Sequence, residues 1–140
     1  MSGDENKTLV RQYYEQVVNT GKVDDIDRFI AADYAEVHDN RRYPLGLEGA
    51  REHVLGVRRV YPDLHLTVER QIAEGEWVVT CITMRGTHQG EWIGIKPTGR
   101  ALEVTAVNVD RVRDGRIVEH GGAANLLGPF MQIGAVRPAD

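Results

Sequence analysis

The chain is poor in cysteine, in aromatic residues and in long apolar runs. A single cysteine among 140 residues excludes an internal disulfide framework, and a lone thiol suits a reducing compartment. Cys81 lies inside an apolar run, where it reads either as a small buried hydrophobe or as a reactive nucleophile. No apolar run reaches the roughly 20 residues of a membrane-spanning helix. The stretch Met1 to Lys7 is polar, unlike a secretion signal. The expected location is therefore cytoplasmic, with no membrane partner. Positive charge is not in excess either: 17 Lys and Arg stand against 21 Asp and Glu. A nucleic-acid partner, which calls for a basic stripe, is not expected. The pairs Arg41-Arg42 and Arg58-Arg59 read as solvated faces. His53, His65 and His88 show no metal-ligand spacing, and the chain has no glycine-rich phosphate loop and no nucleophile triad. No metal and no other cofactor is expected.

What remains is an ordinary soluble composition, 41% hydrophobic and 27% charged, long enough for one domain with its own core. Leu9, Val10, Tyr13, Tyr14, Val17 and Val18 repeat at helical spacing, predicting a helix over 4–19 that Gly21 caps in a left-handed conformation. A second, short helix is expected over 23–30, with Ile26, Phe29 and Ile30 buried. Residues 34–39 alternate as a strand, and 41–46 read as a loop because of Pro44. Leu47, Ala50, Val54, Val57 and Val60 form the stripe of a third helix over 47–60, ended by Tyr61-Pro62-Asp63. From Leu64 the period changes to two. Strands are expected from 64, over 77–85, over 101–113 and over 116–124, with turns at Glu74-Gly75-Glu76 and Asp114-Gly115. The Gly-rich stretch 87–99 contains the turn Pro97-Thr98-Gly99, and 125–133 suits a short closing helix. Helices first and strands afterwards indicate an α+β fold: a cone in which N-terminal helices pack into a curved, mainly antiparallel sheet around one pocket.

Several blocks carry a family resemblance across nearly the whole chain. They are Asn19-Thr20-Gly21, Tyr61-Pro62-Asp63-Leu64, Thr87-His88-Gln89-Gly90, Gly94 to Arg100, Asp114 to His120, Leu127-Gly128 and Gln132-Ile133-Gly134. In this order the chain resembles the SnoaL-like polyketide cyclases of the nuclear-transport-factor-2-like superfamily. The resemblance implies an intramolecular aldol ring closure, with an aspartate on the last strand as acid/base and a histidine on the strand before it. Laid on that pattern, this sequence has Asn108 at the histidine position and Gly122 at the aspartate position. Gly122 cannot transfer a proton, and Asn108 can bond a carbonyl but does not titrate.

Parity along the strands supplies other candidates. If Asn108 and Gly122 face inward, so do Asp110 and His120. His120 then reads as general acid/base, with Asp110 orienting it or acting itself, or else as a hydrogen-bonded structural histidine near an aspartate at the sheet rim. Asn108 and Tyr14 are the expected holders of a substrate oxygen, Tyr13 being an equivalent choice. Glu36 and His38 share a face of the first strand, where His38-Asp39 offers a second acid/base. Trp92 is placed at the pocket entrance or on an interface. The expected substrate is a small apolar or polyketide-like molecule. Alternatives are a binding protein without catalysis, a metal-free hydroxylase and an epoxide hydrolase. Apolar residues on both faces of the last strands predict a homodimer through the sheet.

Overall fold

The protein is described by a computed structural model covering residues 2–140. Helix α1 (Gly3–Tyr13) starts at Ser2, whose hydroxyl accepts the amide of Glu5, with Asp4 and Glu5 in the first turn. It runs into a π-helical turn, Tyr14–Val18, in which the amide of Asn19 reaches the carbonyl of Tyr14. Gly21 ends the helix at φ 73°, as the sequence predicts. Asn19 then locks this end to the sheet: its side chain donates to the Leu66 carbonyl and accepts from the Leu66 amide.

The second expected helix shrinks to one 3-10 turn, Ile26–Arg28. Phe29 and Ile30 are drawn into the sheet instead. The Ile117 amide donates to the Phe29 carbonyl at 2.7 Å, and strand β1 (Ile30–His38) begins four residues earlier than the alternation suggests. A further correction concerns 41–46, expected as a loop. Asp39 and Asn40 both have positive φ and form a two-residue hairpin, so Arg41–Pro44 is a short strand, β2. Pro44 is tolerated there because β2 is the edge of the sheet.

Helix α2 (Gly46–Val60) follows, burying Ala50 and Val54. Strands β3 (His65–Glu74), β4 (Trp77–Thr87), β5 (Ala101–Arg113) and β6 (Arg116–Ala124) then form an antiparallel meander, and α3 (Leu127–Gln132) closes the chain. The sheet order is β2-β1-β6-β5-β4-β3, with β1 parallel to β6 and every other neighbour antiparallel. A bulge between Val68 and Arg70 changes the parity of β3: Leu66 faces the core before it, Gln71 and Ala73 after it. The α+β cone is therefore as expected, with Val10, Tyr14, Ile26, Ile30, Val78 and Ile117 in its core.

Arg58 departs from its expected place on a solvated face. Its guanidinium donates to the carbonyls of Val18, Asn19, Leu64 and Pro62 at 3.0–3.3 Å. It thereby neutralises the C-terminal end of the first helix and staples it to the end of α2. Arg59, beside it, makes only an exposed contact with Glu52 at 3.6 Å. Arg58→Met is expected to cost about 1–3 kcal/mol through the lost charge-assisted bonds. That should lower the melting temperature by several degrees, while Arg59→Met leaves it within error. Equal effects from the two variants in thermal denaturation would rule out the staple.

Candidate active site

A cavity of about 280 Å³ opens between the helices and the concave face of the sheet. Its apolar wall comes from the helical side (Val18, Ala50, Val54, Val57) and from Leu64, Leu66, Met84 and Ala124. Its polar groups are Tyr13, Tyr14, Tyr34, Glu36, His53, Asn108 and His120. A small-molecule site commonly has this character, a mainly apolar hollow with a few converging polar groups.

The polar groups converge because of strand register. Asp110 on β5 faces His120 on β6, and His120 faces Glu36 on the parallel strand β1. One row across three strands thus carries two carboxylates with an imidazole between them. Asp110 is fully buried and lies beneath the cavity surface. Its Oδ1 is 2.6 Å from His120 Nδ1, and its Oδ2 accepts the hydroxyl of Tyr14. The π turn delivers that hydroxyl. Such turns are rare and concentrate at functional sites.

At the other end of the row, Glu36 is 4% exposed and accepts from three side chains. Tyr34 Oη lies 3.0 Å from Oε2, His53 Nδ1 lies 3.1 Å from the same oxygen, and His38 Nε2 lies 3.1 Å from Oε1. His53 comes from α2, and its approach to Glu36 was not visible in the sequence. Only the packing of α2 over β1 brings together residues 17 positions apart.

The electrostatics follow from these contacts. Burial opposes the charged form of His120, but the Asp110 carboxylate, its hydrogen bond and the nearby Glu36 outweigh it and raise the imidazole pKa. Burial likewise disfavours charge on Glu36, yet the bonds from His53 and His38 prevail and hold it down at about 2. Burial, then Asp110, push the Tyr14 hydroxyl well above its usual range, partly countered by the adjacent Asn108. Tyr14 therefore stays protonated, and its proton is committed to Asp110.

The expected site residues divide accordingly. His120, Asp110, Asn108 and Tyr14 are brought together, though Tyr14 bonds Asp110 where a substrate oxygen was expected. His38 sits at the mouth, half exposed, and holds Glu36 from outside the cavity lining. Asp39 belongs to the β1–β2 turn. Trp92 does not line the cavity. A tight turn through Ile93 and Gly94 folds it back onto Tyr61, His88 and Phe130, with ring centroids 5.2–6.1 Å away. Cys81 pairs with Val107 and, by strand parity, points to the outer face of the sheet, away from this chemistry. Among the described residues no group of three or more His, Cys, Asp or Glu is placed to hold a metal. No helix among the described residues is long and apolar enough to cross a membrane.

Gly122 pairs with Asn108 at φ 136°, and a Cβ built on it would lie 2.1 Å from the Val107 carbonyl oxygen. No side chain fits there without moving the strand. The acid and the imidazole instead occupy the adjacent inward pair, Asp110 and His120. Relative to the pattern that the resemblance implies, they have also exchanged strands.

An α+β cone with a cavity lined by titratable groups on its sheet floor defines the structural class of this chain. The comparisons place the chain within it. A family model described as SnoaL-like polyketide cyclase matches residues 8–133. The nogalonic acid methyl ester cyclase of Streptomyces nogalater is 30% identical over 124 residues, covering 87% of this chain and 92% of that protein. Among solved structures, the candidate polyketide cyclase IdmH of Streptomyces antibioticus is 31% identical with a TM-score of 0.76, covering 92% of this chain and 98% of that one. The candidate hydroxylase AclR of Streptomyces galilaeus is 26% identical with a TM-score of 0.83, covering 99% and 87%. The chain belongs to the SnoaL-like polyketide cyclase family.

The two shifted groups have opposite linkage to stability. The raised pKa of His120 contributes stability that is present below about 6.5 and is lost as pH rises through the folded value. The lowered pKa of Glu36 contributes stability present above the ordinary carboxylate value of 4.5 and lost as pH falls toward about 2. In an NMR titration the His120 ring should titrate above 6.5, and Asp110→Asn should bring it down to 6.5 or lower. A His120 midpoint unmoved by that substitution would contradict the pairing.

Proposed function

We propose that this chain is a cofactor-independent enzyme performing acid/base chemistry, ring closure or isomerisation, on a polyketide-like, carbonyl-bearing substrate. The observation that carries the reading is the Asp110–His120 pair at the floor of an apolar cavity. Asp110 engages Nδ1 and fixes the ring, which leaves Nε2 for a ligand. A charged imidazole there is a proton donor to a carbonyl oxygen as negative charge develops on it. Asn108, also in the lining, offers a second donor to the same oxygen. Tyr14 serves by holding Asp110. The apolar wall lowers the local dielectric, which strengthens these few dipoles.

Gly122 favours a second reading, a binding protein that retains the cavity without turnover. The experiment separates the two. The purified chain is incubated with the methyl esters of nogalonic and aklanonic acid, the compounds for which its cyclase relatives are named. Conversion by the wild type should fall about 10²–10⁴-fold in His120→Ala and in the double variant with Asp110→Asn. Activity retained in the double variant would remove the proposed mechanism. Binding of both esters with no conversion would select the second reading.

We further propose that the outer face of the sheet pairs with a second copy. Ile72 is 59%, Val107 44% and Trp77 42% exposed on this chain, and single domains seldom leave such a surface uncovered. Light scattering should give twice the chain mass. A monomer at micromolar concentration would exclude it.

A further inference from the structure

The cavity holds a second carboxylate–imidazole pair, Glu36 and His53, and the chemistry assigned to His120 gives the imidazole of that pair no role. We propose that Glu36 and His53 form a second proton-transfer centre opposite His120, and that ring closure is divided between the two. His53 removes the carbon-bound proton, and His120 delivers a proton to oxygen. This rests on the cyclase reading above.

Three features support the division. First, Glu36 is a buried carboxylate, which is costly unless fully bonded. The chain satisfies it with imidazoles and a tyrosine hydroxyl rather than with Lys or Arg. An arginine would neutralise the charge permanently, whereas an imidazole can give and take a proton near neutrality. Second, the contact fixes the tautomer. An ionised Glu36 3.1 Å from Nδ1 requires the proton on Nδ1 and leaves a lone pair on Nε2, as a base needs. Third, the placement suits two reacting atoms. His120 stands on the strand floor beside Glu36, while His53 descends from α2, and both line the same cavity. The acidic carbon and the electrophilic carbonyl of one substrate are different atoms, so one imidazole fixed by Asp110 cannot serve both at once.

The step balances without any further reagent. A carbon–hydrogen bond next to a ketone breaks; its proton passes to His53 Nε2 and its electron pair forms the enolate. The enolate carbon bonds to the second carbonyl carbon. The π pair of that carbonyl moves to its oxygen, which takes a proton from His120 Nε2. The product is an isomer of the substrate. His53, half exposed, then gives its proton to solvent, and His120, itself partly exposed, takes one up in return, which restores both rings. Glu36 acts as a positioning residue and His53 as the base. The titratable groups that line the cavity with His53 are Tyr13 and Tyr14 from the first helix, Tyr34 and its own partner Glu36 from β1 with His38 bonded behind Glu36, and His120 from β6 with Asp110 behind it.

Such a division predicts a bell-shaped pH dependence of kcat, the acid limb requiring uncharged His53 and the alkaline limb charged His120. The test measures kcat, KM and the pH profile on aklanonic acid methyl ester. His53→Gln should lower kcat about 100-fold with KM changed less than about threefold, and should abolish the acid limb. Glu36→Gln should displace that limb and also move the alkaline one to lower pH, since Glu36 contributes to the raised pKa of His120. Circular dichroism checks the fold, and His53→Asn replaces His53→Gln should the latter not fold. A His53 variant with kcat within about threefold of wild type and both limbs intact would overturn the proposal while leaving the cyclase reading standing. Failure of the cyclase reading shows instead in the wild type, which would then turn over neither ester, and the proposal falls with it.

Discussion

The carboxyl group of Asp110 is the constraint on which the rest of the site depends. A fully buried aspartate is tolerated only if its oxygens are occupied. Here one oxygen takes the Tyr14 hydroxyl and the other the His120 ring. Those partners arrive from two different elements. The first needs the widened turn at the end of the opening helix, and the second needs the register of the last hairpin. A slip of one residue in that hairpin would send His120 to the outer face and leave the carboxylate without its imidazole. Core packing and site geometry are therefore the same set of contacts seen from two sides.

The row of Glu36, His120 and Asp110 shows how a sheet can build charge chemistry from few parts. Parallel pairing of β1 with β6 places the two carboxylates on either side of one imidazole. Their combined field sustains a positive ring in a place where burial alone would discharge it. The two ends of the row are anchored differently. Asp110 is closed in by Tyr14 beneath the cavity surface, whereas Glu36 reaches the mouth through His38 and His53. One end is suited to holding a state and the other to exchanging protons with solvent.

Much of this architecture is legible in the sequence because local rules set it. The helical stripe from Leu9 to Val18, the break at Tyr61-Pro62-Asp63, the period of two from Leu64 and the turn at Asp114-Gly115 all appear where those rules put them. The pairing of Asp110 with His120 is only half legible: counting back from the turn alone would set Asp110 opposite Glu119, and a bulge between Arg111 and Val112 shifts the register so that His120 is its neighbour. What could not be read depends on turn geometry or on contacts distant in the chain. The strand β2 needs the left-handed pair Asp39-Asn40, which propensity alone reads as loop. The role of Arg58 needs four carbonyls gathered from separate segments, and Glu36 meets His53 only after α2 has packed. Trp92 was misplaced because the Gly-rich segment folds back on itself, a matter of turn geometry rather than composition.

Gly122 limits how the site can be altered as well as shaping it. Its backbone lies so close to the Val107 carbonyl that even a methyl group would collide. The arrangement with an aspartate at this position and the arrangement with Asp110 on the neighbouring strand are thus separated by a change of backbone path, not of one side chain. Moving from one to the other requires the strand and the acid to shift together. The single change Gly122→Asp therefore does not return the acid to the last strand; it first displaces the strand that carries His120.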